Sequence, residues 1–187
     1  MPLTKRSIRK DMRSSLASLS DDVWSDQSLS AAKALANWLQ QHPDIRKVAL
    51  YSALPTEVCL TLTTELLSHI EWHFPLVNAD GMTFHRVSHP STLAKGYYDI
   101  KEPNPKVHPP IIPSTLDLVV CPGLAFTAQG QRLGRGGGFY DRFLAQHPAP
   151  ILMGVCLQQQ VVPALPVDAH DIAMTHMLCS GEVDTMT

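Results

Sequence analysis

The sequence predicts a single α/β domain with a mainly parallel sheet flanked by helices, and three observations carry that prediction. First, apolar stretches that read as strands alternate with stretches of helical periodicity. Second, residues 116–121 (apolar but for Asp117) and 151–157 are nearly continuous apolar runs, the pattern of strands covered on both faces. Third, no repeat, low-complexity tract or linker divides the 187 residues, so 1–187 is read as one domain.

In chain order, Ile8, Met12, Leu16 and Leu19 recur at helical spacing, with Lys5, Arg6, Arg9, Lys10 and Arg13 around them. Without other information those cations read as a solvated face. Ser20-Asp21-Asp22 is a helix start, and a second helix runs to about Gln41 on Val23, Ala31, Leu35 and Leu39 until His42-Pro43 ends it. Residues 47–53 predict a strand, with Pro55-Thr56-Glu57 directly at its carboxyl end. That is where open α/β sheets bind ligands, though Glu57 also suits an exposed turn. A helix over 60–70 and strands over 71–77 and 82–87 follow. The proline-rich segment 88–114 is expected to be irregular, as a binding loop or a flexible one. Within it, Tyr97 and Tyr98 serve either to stack on a flat ligand or to anchor the loop. After a strand over 151–157, residues 163–166 form a turn, His170-Asp171 opens the last short ordered segment, and the polar tail from Gly181 is expected to fray.

Residues 130–143, GQRLGRGGGFYDRF, are the most informative stretch. Five of the ten glycines fall in its first nine residues. A strand precedes it, and Phe139, Phe143 and Leu144 share a helical face that ends at Gln146-His147-Pro148. Strand, glycine loop and helix start leave backbone N–H groups free to hold an anion, and the helix terminus adds partial positive charge. Arg132 and Arg135 bring fixed charge, and Asp141 sits one turn inside the helix as a possible metal anchor. The loop is neither a Walker A sequence nor G-x-G-x-x-G. A tight packing turn explains the glycines as well, and the helix dipole explains Asp141.

Composition narrows the classes. A hydrophobic content of 44%, a charged content of 17% and a net charge of -2 fit a globular protein and give no reason to expect nucleic acid or membrane as the main partner. Cys59, Cys121, Cys156 and Cys179 are widely spaced in or beside apolar runs and read as reduced, mostly buried thiols rather than disulfides or a zinc site. No apolar run reaches membrane-span length. The basic N-terminus lacks the apolar core of a secretory signal, so the cytoplasm is the expected compartment.

Together these segments resemble the 5-formyltetrahydrofolate cyclo-ligase family, also called methenyltetrahydrofolate synthetases. The strongest match is DLVVCPGLAFTAQGQRLGRGGGFYDRFL, residues 117–144. Lys5…Ile8-Arg9, ALPTEV (53–58), GYYDIKEP (96–103) and His170-Asp171 extend it over nearly the whole chain. The resemblance implies an ATP- and Mg²⁺-dependent closure of 5-formyltetrahydrofolate to 5,10-methenyltetrahydrofolate, with ADP and phosphate released. It implies small-molecule substrates (ATP, the formylfolate and its polyglutamates), a monomer or weak homo-oligomer, and a sheet related to the sugar-phosphate isomerase and CoA-transferase-like folds.

Residue by residue, Lys5 and Arg9 match the basic pair that reaches ATP phosphates. Arg132, Leu133, Gly134, Arg135, Gly136, Gly137, Gly138, Phe139 and Tyr140 match the nucleotide loop, and its inner part from Arg135 to Phe139 also touches the folate. Asp141 and Asp171 match the carboxylates associated with magnesium, and Glu57 an acid that contacts the folate. Lys5 and Arg135 are the cations expected to neutralise charge at the reacting phosphoryl group. The chain departs from the family after His170-Asp171: Thr175 and Ser180 stand where acids are usual, leaving Asp171 as the only carboxylate expected nearby. Two other readings stay open at this point, a folate- or nucleotide-binding relative without turnover and an isomerase- or CoA-transferase-like enzyme.

Overall fold

The computed structural model describes residues 4–79, 81–96 and 100–186. Two helices open the chain, α1 (Lys5–Ala17) and α2 (Asp21–Gln41), each started by a hydroxyl cap. Thr4 accepts from the Ser7 N–H at 3.1 Å in a reciprocal capping box, which fixes the first turn at Lys5. Ser20 accepts from Val23, and Asp21 and Asp22 in the first turn favour the same start through the helix dipole.

The sheet follows. Strands β1 (Lys47–Ala49), β2 (Glu71–Asn78) and β3 (Gly81–Arg86) surround the short helix α3 (Thr61–Leu66). Two small hairpins, β4 (Ala94–Lys95) with β5 (Lys101–Glu102) and β7 (Ala125–Phe126) with β8 (Arg132–Leu133), lie on either side of β6 (Leu118–Pro122) in sequence. Helix α4 (Phe139–Gln146) leads to β9 (Ile151–Cys156), β10 (His176–Cys179) and β11 (Glu182–Thr185).

The main sheet has the order β11-β10-β9-β6-β1-β2-β3. Its five inner strands are parallel, and β3 and β11 close the edges antiparallel. Alternate side chains feed two cores on opposite faces. Leu118 and Val120 point to the core built with α1 and α2, and Val119 and Cys121 to the core that holds Phe143 and Leu144 of α4. All four are fully buried, at roughly 1.5–3 kcal/mol for a Val or Leu side chain. The continuous apolar run therefore reports a strand covered on both sides.

Several boundaries differ from the sequence reading. The ladder of β1 ends near Leu50, whose N–H donates to the His73 carbonyl, and the chain then leaves the sheet instead of continuing to 53. Helix α3 stops at Leu66 rather than 70, because Leu67 turns into the core and its carbonyl accepts from the Trp72 indole. Segment 88–114 is partly regular: besides β4 and β5, it runs beside β3 through the Arg86–Pro109 and Ile111–Phe84 backbone bonds. Tyr97 and Tyr98 lie outside the described residues. In the tail, Glu182–Thr185 pairs with β10 instead of fraying. Ser180 and Gly181 both adopt positive φ (49° and 89°), the two-residue turn that folds β11 back onto β10.

Candidate active site

The strand order reverses direction between β1 and β6: the chain moves outward from β1 to β2 and β3, then returns to the other side of β1. Such a switch point opens a crevice at the carboxyl ends of the two strands. Glu57 follows β1 and the glycine loop follows β6, so both stand at this crevice.

Helix α1 packs its amino-terminal half against the loop. Lys5, Arg9 and Arg13 are four residues apart and form one stripe on the helix. Arg9 Nε donates to the Gly134 carbonyl at 2.9 Å, and Arg13 Nη2 to the Arg135 carbonyl at 2.8 Å. The loop is thus gripped by two consecutive carbonyls, which leaves its amides available. Arg13 joins Lys5 and Arg9 on the loop-facing stripe, although its side chain stays exposed. The i, i+4 spacing was the signal for it.

Within the loop, Gly136 (φ 112°) and Gly138 (φ 63°) hold the left-handed backbone that lets the chain turn into α4. Gly138 is also the N-cap, with no side chain over the first amides of α4. Arg142 donates to the Gly137 carbonyl at 2.9 Å and lies over the Phe139 ring. Tyr140 turns inward: it packs in the core edge-on to Phe84, and burial pushes its hydroxyl well above the ordinary tyrosine value. Among the described residues its hydroxyl has no hydrogen-bond partner.

Charged side chains surround an open cleft of about 520 Å³. Four cations (Lys5, Arg9, Arg132, Arg142) and three carboxylates (Asp141, Asp168, Asp171) line it with Leu133 and Gly134, Gly136, Gly137 and Gly138. Lys5 donates to Asp168 at 2.7 Å and, more closely, to Asp171. Partial burial pulls the Lys5 ammonium down, but the bonds and charge of Asp168 and Asp171 outweigh it and hold it above the ordinary lysine value. Burial likewise pushes the Asp171 carboxyl up, yet the Asp168 N–H and Lys5 hold it below the usual range. Asp171 is therefore not the only carboxylate there. Asp168, missed from sequence, sits one turn of chain away and shares the same ammonium, and Asp171 caps its N–H at 2.7 Å.

Asp141 is held from two sides. Arg132 Nη2 donates to its Oδ1 at 2.9 Å and the Ile172 N–H at 3.3 Å. Arg132 itself is nearly enclosed and also donates to the Pro122 carbonyl. Both of these bonds to Asp141 fall on one carboxylate oxygen. The His170 imidazole approaches the Asp171 oxygen that Lys5 does not take, at 4.0 Å. Hard oxygen donors on two segments facing one cleft suit Mg²⁺, which uses one or two protein carboxylates and fills its shell with phosphate oxygens and water.

Arg135 and Glu57 form a second cluster beside the cleft rather than in its lining. Arg135 Nε donates to Glu57 Oε1 at 2.6 Å, and its Nη2 reaches the Thr56 hydroxyl at 3.1 Å. Glu57 Oε2 accepts the Leu54 N–H at 3.0 Å, so the carboxylate is oriented by its own turn.

The model of the 5-formyltetrahydrofolate cyclo-ligase family matches residues 3–180. The 5-formyltetrahydrofolate cyclo-ligase of Saccharomyces cerevisiae is 26% identical over 204 aligned positions, which cover 94% of this chain and 95% of the yeast protein. The NMR structure of Aquifex aeolicus 5,10-methenyltetrahydrofolate synthetase superposes with a TM-score of 0.86 at 31% identity, covering 98% of this chain and 93% of that one. The synthetase of Mycoplasma pneumoniae, at 22% identity and a TM-score of 0.77 over 94% and 98% of the two chains, shares the fold. With the family pattern matched from the first turn of α1 through β10, this chain belongs to the 5-formyltetrahydrofolate cyclo-ligase family.

Proposed function

We propose that the protein closes 5-formyltetrahydrofolate to 5,10-methenyltetrahydrofolate with ATP as phosphoryl donor and Mg²⁺ bound with the nucleotide. Family membership supports the cyclisation. The observation that supports the ATP reading is the convergence of Lys5, Arg9, the glycine loop and two acid-bearing segments on one cleft, with the Arg135–Glu57 pair at its side.

The chemistry asks for this kind of site. Attack of N10 on the formyl carbon must expel the formyl oxygen, a very poor leaving group. Transfer of the γ-phosphoryl group to that oxygen turns it into phosphate and leaves an electrophilic iminium carbon. Phosphoryl transfer depends on alignment and charge neutralisation. In this reading the loop amides and Arg9 hold the phosphates, and Asp141 and Asp171 would hold Mg²⁺, which would supply positive charge against the phosphates. Lys5, on the same cleft, meets the transferring group. Glu57 orients the pterin through its nitrogens. Arg135, one loop residue away from the phosphates, lies between the two substrates and stabilises charge on the reacting oxygen.

Protein, Mg-ATP and 5-formyltetrahydrofolate are mixed while methenyl absorbance and ADP are followed together. The expected result is equal production of both. Folate affinity without ADP would make the chain a non-catalytic relative, and folate conversion without ATP would remove the phosphoryl-transfer step.

A further inference from the structure

The cleft makes no use of two cysteines that the fold sets side by side. Strands β9 and β10 run parallel with Cys156 opposite Cys179 in register, so both side chains leave the same face of the sheet. Neighbouring strands lie about 4.8 Å apart, within the span of roughly 4.4–6.8 Å between the Cα atoms of a disulfide. Cys156 is buried in the core beneath α4, and Cys179 is half-buried, with Sγ 3.6 Å from Gln158 Oε1. The neighbouring Cys156 thiol draws the Cys179 thiol below its ordinary value and so raises its thiolate fraction, while Cys179 and burial push Cys156 up. The other two cysteines differ. Cys59 is exposed and donates to Thr61, and Cys121 is buried and pushed up to about 12.

We propose that Cys179 and Cys156 are a hydroperoxide-reactive dithiol that closes to an intrachain disulfide across β9 and β10. The Cys179 thiolate attacks one peroxide oxygen, the O–O bond breaks, and the alcohol (or water, from hydrogen peroxide) leaves with a proton from solvent. This gives a sulfenic acid on Cys179. The Cys156 sulfur then attacks the Cys179 sulfur. An S–S bond forms, the S–O bond breaks, and hydroxide leaves with the Cys156 proton as water. Two thiols are oxidised and one peroxide is reduced by two electrons. The bond ties together the two ends of segment 157–178, which brings Asp168 and Asp171 to the cleft.

The test treats the full chain with equimolar hydrogen peroxide at neutral pH, alkylates the remaining thiols and maps peptides by mass. The expected result is loss of two of the four thiols, a direct link between the peptides holding Cys156 and Cys179, a monomer on a non-reducing gel, and full recovery with dithiothreitol. Cys59→Ser should behave like the unmutated chain, and Cys156→Ser should stop at a dimedone-reactive Cys179. Oxidation of Cys59 with Cys156 and Cys179 still alkylated, or a Cys59-linked dimer as the only product, would overturn the proposal. The peptide map of the unmutated chain decides the matter even where the Cys156 variant does not fold.

Discussion

Arg132 and Asp141 join β8 to α4 through an ion pair of 2.9 Å that is closed to solvent on the arginine side. The sequence assigns one to phosphate and the other to metal, yet each is also the other's counter-charge. Removing one partner of such a pair strands the remaining charge, at about 3–5 kcal/mol. Asp141→Ala should therefore lose stability as well as turnover. Asp141→Asn keeps an acceptor for Arg132 and for the Ile172 N–H and should be closer to native in stability but still inactive. Urea denaturation of both variants beside their turnover measures this. A fully stable Asp141→Ala would show that the pair holds nothing together.

The two acid-bearing segments should respond unequally to magnesium. Asp171→Asn leaves Asp168 to hold Lys5 nearby, so excess Mg²⁺ should rescue part of its rate. Asp141→Asn should stay inactive at every magnesium concentration. Titrations at saturating ATP separate the two, and full activity of Asp141→Asn at ordinary magnesium would return Asp141 to a helix-dipole role.

In the glycine loop, position matters more than glycine count. Gly138 at φ 63° favours Asn over branched residues, since Asn tolerates the left-handed region that costs most residues roughly 1–2 kcal/mol. Gly138→Asn should keep measurable ATP binding where Gly138→Val loses it. Gly137 is outside the left-handed set, and a Cβ there would lie 2.7 Å from the Phe139 ring, so Gly137→Val should act by displacing Phe139. Calorimetric ATP titrations rank the three. Equal affinities would mean that the loop backbone does not form the nucleotide site.

Arg13 offers a direct check on the α1 clamp. Arg13→Ala removes a bond from an exposed side chain to a loop carbonyl, about 0.5–1 kcal/mol, so the KM for ATP should rise about two- to fivefold. Lys10→Ala should leave it unchanged. Identical effects from both would mean that α1 acts through bulk charge.

His73 sets an acid limit. It is buried in β2, and burial pushes its imidazole from 6.5 down to about 4, partly offset by the Val48 carbonyl and Glu71. The unfolded chain takes up this proton from about pH 6.5, whereas the folded protein resists until about pH 4. Stability from the neutral ring is therefore complete above the unfolded value and falls as the pH drops. His73→Leu should lose about 2 kcal/mol less than the unmutated protein between pH 7 and pH 5. Parallel losses in urea midpoints would assign the acid sensitivity elsewhere.

The sequence by itself determined the elements whose signals are local. The apolar runs around Val119 and Met153 announce strands because both faces are covered, and Ser20 and the glycines before Phe139 mark helix starts because capping and left-handed turns depend on neighbouring residues alone. The motif in 117–144 carried the family. The tertiary structure decided what meets across long stretches of chain. It placed Lys5 between Asp168 and Asp171, 163 and 166 residues away, and Arg135 against Glu57, 78 residues away. It also turned a polar tail into an edge strand, because β10 offers an open ladder and Ser180-Gly181 can reverse the chain. Periodicity reports which face of an element is buried. The partner of each charge depends on strand order, which no local pattern encodes.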